Sequence, residues 1–95
     1  MCGIVGIYSE QEVAGDVYDS LIHLQHRGQD ACGICTYGKR FHLRKGAGYV
    51  RDVFKQEDVE LLRGNRGIGH TRYSTVGSRY SIEDAQPFKV HSPYG

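Results

Sequence analysis

The second residue of the chain is a cysteine, Cys2, followed by Gly3 and the apolar run Ile4-Val5-Gly6-Ile7. Cysteine acts as a nucleophile through its thiolate, which needs a base or a lowered pKa. Histidine is the usual base. A cysteine at a mature N-terminus has another, its own α-amine, whose pKa of about 7.7–8.0 makes it usable at neutral pH. That chemistry requires removal of Met1, which a side chain as small as cysteine permits. Gly3 would let a substrate or a backbone donor approach the sulfur closely. The competing reading is a buried cysteine at the start of a core strand, since free cysteine is among the most buried residue types.

Two other stretches bear on that choice: HRGQD at 26–30 and GHTRYST at 69–75. Arg72, at the end of an expected strand, carries the fork geometry that takes a carboxylate bidentately. Thr75 offers a hydroxyl to the same ligand. Taken singly, Arg72 reads more simply as a surface ion-pair partner.

The elements that would position these residues follow from periodicity. Residues 3–8 are short and β-branched and predict a buried strand. Ser9 and Glu12 have the spacing of a capping box, and Val13, Val17, Leu21 and Leu24 then fall at helical spacing, with Gly28 as the stop. Residues 31–37 and 40–45, separated by Gly38-Lys39, predict a hairpin. A helix is expected over 53–63, ended by Gly64, then a strand over 67–74 and a polar exposed loop over 75–86.

Composition bounds the function. With 95 residues the chain makes at most one small domain. A hydrophobic fraction of 39% with 24% charged residues is that of a soluble globular protein. A net charge of +1 gives no footprint for nucleic acid or an acidic membrane surface. No apolar run approaches the roughly 18 residues of a membrane span, and the N-terminus lacks a secretory signal pattern. Three cysteines, an odd number without framework spacing, favour a reducing, cytoplasmic setting. The chain stops on a Pro-Tyr-Gly turn signal, and its apolar faces need more partners than it supplies, so it reads as a fragment.

Together, MCGIVGI, LQHRGQDACGI and HTRYSTVGS resemble the class II glutamine amidotransferase domain, a family of N-terminal-nucleophile hydrolases, over nearly the whole chain. The resemblance implies an α+β fold, here the N-terminal portion of a four-layer αββα sandwich of mostly antiparallel sheets. Residues 1–95 would be the first part of the glutaminase domain. It also implies roles. Cys2 would attack the side-chain amide of glutamine and form a γ-glutamyl thioester with release of ammonia. Arg72 matches the arginine that holds the substrate α-carboxylate, Thr75 a residue of the same glutamine loop, and Arg27 and Gly28 the segment beside the nucleophile. Loop 73–86 would be a lid.

LQHRGQD, Tyr73-Ser74-Thr75 and Asp84-Ala85-Gln86-Pro87-Phe88 look closest to the purine-synthesis branch of that family. Its members would pass ammonia to a C-terminal phosphoribosyltransferase domain, where Mg2+ is expected. There it displaces pyrophosphate from phosphoribosyl pyrophosphate to give 5-phosphoribosylamine. The resemblance implies a homo-oligomeric full-length enzyme with no other cofactor in this segment. The alternatives are the glutaminase domain of a glucosamine-6-phosphate synthase, glutamate synthase or asparagine synthetase, or a non-catalytic regulatory module of the same fold. The family's Asn-Gly oxyanion pair and the aspartate for the glutamine α-amine lie further downstream. Each oxyanion donor is worth roughly 10²–10³ in rate, so the 95-residue chain alone is expected to be inactive. Ammonia release by that chain, abolished by Cys2→Ala, would overturn this.

Other motifs carry less. Cys32 and Cys35 form a C-x-x-C, but positions i and i+3 of a strand point to opposite faces, which suits core residues better than a metal or dithiol. His23 and His26 stand one helical turn apart with no acidic third ligand nearby. His70 sits next to the candidate site and could tune it. Residues 64–69 (GNRGIG) precede a strand, the wrong context for a phosphate loop.

Overall fold

A computed structural model describes residues 2–27, 30–73 and 85–94, with Arg27 described through its backbone alone. In chain order the elements are β1 (Gly3–Tyr8), α1 (Ala14–Leu24), a 3-10 turn (Gln25–Arg27), β2 (Ala31–Tyr37) and β3 (Phe41–Ala47), followed by α2 (Val50–Val53), α3 (Gln56–Leu61) and β4 (Arg66–Arg72). The strands form one sheet in the order β1-β4-β2-β3, with every neighbouring pair antiparallel. The last strand among the described residues, β4, is therefore inserted between the first strand and the β2–β3 hairpin.

One face of the sheet is closed by helix. Val13, Val17 and Leu21 recur at a spacing of four, so they share one side of α1, and all three are fully buried. They pack on Cys32 and Ile34 of β2, with Val50, Val53, Phe54 and Leu62 completing the core. The approach is close because β4 offers glycine where the helix lies. A Cβ on Gly69 would stand 2.7 Å from a Val17 methyl and 3.0 Å from a Leu21 methyl.

The other face carries apolar residues and is largely open among the described residues, with Ile4 72% and Ile68 45% exposed. Residues 85–87 cross it above β2 and β3, with Ala85 and Pro87 buried. The class is α+β, as expected. The described residues supply one helical layer on one sheet.

The strand and hairpin expectations hold, with β3 and β4 shifted at their ends, except that β1 is not the buried strand expected: it is an edge of the sheet with Ile4 72% and Tyr8 74% exposed. Two helix expectations do not. The Ser9–Glu12 capping box is absent. Ser9 Oγ accepts from the Gln11 N–H at 3.2 Å and closes a turn instead, and α1 begins at Ala14 without a side-chain cap bond. Glu12 is drawn elsewhere: it accepts from the Gly64 N–H and, at 3.0 Å, from Arg63 Nε. A bond to a residue far along the chain has displaced the local one.

The helix expected over 53–63 is two short helices, interrupted at Phe54 and Lys55, both of extended backbone. Phe54 is drawn into the core, edge-on to Tyr18 with ring centroids 6.3 Å apart. Aromatic burial outweighs the few tenths of a kcal/mol that separate helical propensities. The second piece restarts with Asp58 accepting from the Lys55 N–H at 3.0 Å. It ends at Leu61, capped at Leu62, and Gly64, with φ +135°, lies beyond it in a conformation only glycine adopts freely. The expected helix stop at Gly28 and most of loop 75–86 lie outside the described residues; α1 itself ends at Leu24 and tightens into the 3-10 turn.

Candidate active site

Register brings the chemically interesting stretches to one end of the sheet. Gly3 of β1 pairs with Thr71 of β4, so Cys2 and Arg72 stand one step further on, at the ends of neighbouring strands. On its other side Arg72 pairs with Ala31, the first residue of β2, and Ala31 pairs with Ala47 of β3. The HRGQD segment feeds directly into that row: the Asp30 N–H donates to the Arg72 carbonyl at 3.0 Å, and the Gly48 N–H donates to the Asp30 carbonyl at 2.8 Å. The Thr71 hydroxyl lies 3.5 Å from the Leu24 carbonyl, which ties the end of α1 to the same place. The 3-10 turn that includes Arg27 packs against β4 there.

Alternation then sorts the faces. Thr71 is fully buried toward α1, so Arg72 points to the open face, and Cys2 falls on the same side by the same rule. Cys2 is exposed. Of the residues singled out from sequence, Cys2, Arg72 and the Arg27 backbone are thus gathered at one sheet end. Thr75 and Gly28 lie outside the described residues. Gly3 has a different role from the one expected. A Cβ there would meet the Thr71 hydroxyl at 2.9 Å and Leu24 Cβ at 3.3 Å. Its missing side chain makes room for the core, not for a substrate.

His70 belongs to this end as well. It occupies the next row on the open face and is 8% exposed, and its Nδ1 has no hydrogen-bond partner among the described residues. Burial first, and the Arg72 guanidinium second, hold the imidazole below its ordinary pKa. At neutral pH it is uncharged, which spares the site a second cation beside Arg72. Gln25, in the 3-10 turn, was missed by sequence reasoning. Its Oε1 is buried without a partner among the described residues, and the only signal was its place in LQHRGQD. Unsatisfied buried polar atoms are rare in folded proteins and concentrate where a ligand or water completes them.

The remaining motifs resolve as structure. Cys32 is buried under α1, where desolvation pushes its thiol up to about 12. Cys35 lies on the opposite face, its thiol also raised by burial, with Lys89 opposing. The His23 and His26 ring nitrogens lie 2.9 and 3.0 Å from helix carbonyls of Asp19 and His23. Among the described residues no three His, Cys, Asp or Glu side chains gather as metal ligands. No described helix is long and apolar enough to cross a membrane.

The antiparallel sheet backed by helices is shared, over the matched length, with solved enzymes. The glutamine phosphoribosylpyrophosphate amidotransferase from B. subtilis, solved with ADP and GMP, superimposes with a TM-score of 0.82 at 30% identity. A structure described as the allosteric regulatory enzyme of purine biosynthesis does so at 0.87 and 32% identity. Each match covers 98% of this chain and 20% of the solved one.

In sequence the similarity is to amidophosphoribosyltransferases. Identity is 58% over 97 residues with the Pasteurella multocida (strain Pm70) protein and 55% over 97 with that of Escherichia coli (strain K12). With the Saccharomyces cerevisiae protein it is 52% over 100 residues. All of this chain is covered in each, against 19% of the relative. No protein-family model matches the chain. The resemblance carried by the three motifs is borne out: in sequence and fold the chain matches the N-terminal fifth of these enzymes.

Proposed function

We propose that this chain is the nucleophile-bearing part of the glutaminase domain of an amidophosphoribosyltransferase. The convergence of Cys2, Arg72 and the HRGQD segment at one sheet end carries the reading. Arg72 takes the α-carboxylate of glutamine as a bidentate ion pair. Its neighbour in the row, Cys2, then faces the side-chain amide at the far end of the same substrate.

The α-amine of Cys2 accepts the thiol proton, and the sulfur attacks the amide carbon. The tetrahedral intermediate breaks its C–N bond, and the α-ammonium returns the proton to the departing ammonia. Water hydrolyses the γ-glutamyl thioester to glutamate and frees the thiol. Thr75 and Gly28 complete the substrate pocket. The remainder of the glutaminase domain closes over the open face, whose exposed Ile4 and Ile68 are the kind of apolar surface that marks an interaction. Ammonia is consumed in a phosphoribosyltransferase domain that binds phosphoribosyl pyrophosphate with Mg2+, in the cytoplasm, in a homo-oligomeric protein.

The test uses the intact protein that carries this sequence. Cys2→Ala is expected to abolish glutamine-dependent formation of 5-phosphoribosylamine and to leave the reaction with free ammonia near the unaltered rate. Retention of glutamine-dependent turnover by that variant would refute the reading.

A further inference from the structure

The glutaminase chemistry above gives the ring nitrogens of His70 no task, yet the fold keeps a polar ring there at a cost. The imidazole is 8% exposed, and its Nδ1 is buried with no hydrogen-bond partner among the described residues. A buried polar atom left unbonded costs free energy that an apolar side chain of similar size does not.

The surroundings narrow what could satisfy it. Across the strands His70 pairs with Ile4 of β1 and Gly33 of β2, neither of which brings a polar side chain. Along β4 its neighbours on the same face are Ile68 and Arg72, each one row away, about 7 Å at the usual rise of a strand. Of these four, Arg72 alone is polar. Its charge is felt at the imidazole, where it acts with burial to hold the pKa down.

The two side chains are complementary. A guanidinium is a donor only, with N–H groups to spare after its fork has closed on a carboxylate. A neutral imidazole keeps a lone pair on one ring nitrogen and can accept from it. A protonated one has no lone pair and would repel the guanidinium. An arginine side chain also loses rotamer freedom when it is ordered around a ligand. A fixed acceptor beside it lowers that cost by holding the guanidinium where the carboxylate arrives.

We propose that His70 is a positioning residue for glutamine binding: in the glutamine complex its Nδ1 accepts a hydrogen bond from the Arg72 guanidinium and so aims the fork at the α-carboxylate. The inference rests on the glutaminase reading above and gives His70 no contact with the substrate. Its effect therefore falls on affinity for glutamine and passes through Arg72.

Steady-state kinetics of the intact protein test it. His70→Leu and His70→Phe both remove the nitrogen with different shapes, so a packing fault in one is not shared by the other. Each is expected to raise KM for glutamine roughly tenfold, the scale of one lost charge-assisted bond. Turnover at saturating glutamine should stay within about twofold of the parent, and Tm should not fall, since an unbonded buried group has been removed. His70→Asn, which keeps an acceptor near the position of Nδ1, should recover most of the affinity. The sharpest readout is a double-mutant cycle. In an Arg72→Lys background, where the fork is already lost, replacing His70 should change KM by less than about twofold. A full tenfold effect in that background would overturn the proposal, as would an unchanged KM in both His70 variants. So would a lowered Tm with KM and turnover affected alike, the signature of a merely structural role. Cys2→Ala separates the two failures. If it abolishes glutamine use while the His70 variants bind glutamine normally, the positioning role alone is wrong; if it does not, the glutaminase reading itself is.

Discussion

At one end of the sheet stand Cys2, Arg72, His70 and Asp30; at the other, Tyr8, Arg66, Tyr37 and Gly64. The second end is tied down by short-range and long-range bonds. The Ser9 N–H donates to the Asn65 carbonyl at 2.8 Å and the Val13 N–H to the Gly64 carbonyl at 3.0 Å. Arg66 lies between the Tyr8 and Tyr37 rings, 5.5 and 5.3 Å from their centres, and Tyr37 stacks obliquely on Phe41 at 4.8 Å. The first end joins the same strands and keeps buried polar atoms of His70 and Gln25 without partners among the described residues. The same strand register that aligns the tied end places Cys2 beside Arg72 at the other.

That contrast can be broken at either end, with opposite signatures. The largest effect is expected at Cys2: replacement by serine should lower glutamine-dependent turnover at least about a thousandfold, as removal of a nucleophile does elsewhere, with no shift in Tm. Arg72→Lys keeps the charge but loses the fork. It should raise KM for glutamine by roughly tenfold to a hundredfold in the intact protein, again with little change in melting. At the tied end the signature reverses. Gly64→Ala forces an alanine into φ +135° against the Tyr37 backbone, which should destabilise the fold by about 1–3 kcal/mol. A denaturant titration would show it, while glutamine KM per folded molecule stays unchanged.

The smallest effects concern pH and differ between the ends in their window. His70 is depressed by burial and Arg72. As pH falls below the ordinary value of 6.5, the unfolded chain takes up a proton that the folded chain does not, and stability declines. His70→Gln should flatten that limb. Glu12 is depressed by the backbone bond from Gly64 and by Arg63. Its contribution is present above its ordinary value of 4.5 and lost as pH falls through the lower folded value. Glu12→Gln should remove the acid limb and leave the one near 6.5. Melting curves across pH 3–8, a range spanning both reference values, distinguish the two.

What was legible in the sequence follows this division. Strands 3–8 and 31–37, and the hairpin, were readable because alternation and Gly-Lys turn chemistry are local signals. The capping box was not, because Glu12 answers to Gly64, and no local pattern announces a partner so far along the chain. The break at Phe54 was hidden for the same reason: the core site that draws it in exists only after Tyr18 has folded beside it. At the site, residue types suggested that Cys2 and Arg72 could act together. Only the insertion of β4 between β1 and β2 shows that they are neighbours in one row, and that Gly3 serves packing. The positions of Thr75 and Gly28 rest on the motifs alone.

The strand order has a kinetic consequence. β1 emerges first yet has as its strand partner β4, the last strand among the described residues. Closing so long a loop is entropically slow, whereas the β2–β3 hairpin closes across three residues and forms early. Loop-closure entropy thus predicts an order of assembly of hairpin, then β4 against β2, then β1 against β4. Pulse-labelled hydrogen exchange should find β1 amides protected last, with Cys2, at the head of β1, the final piece to be seated.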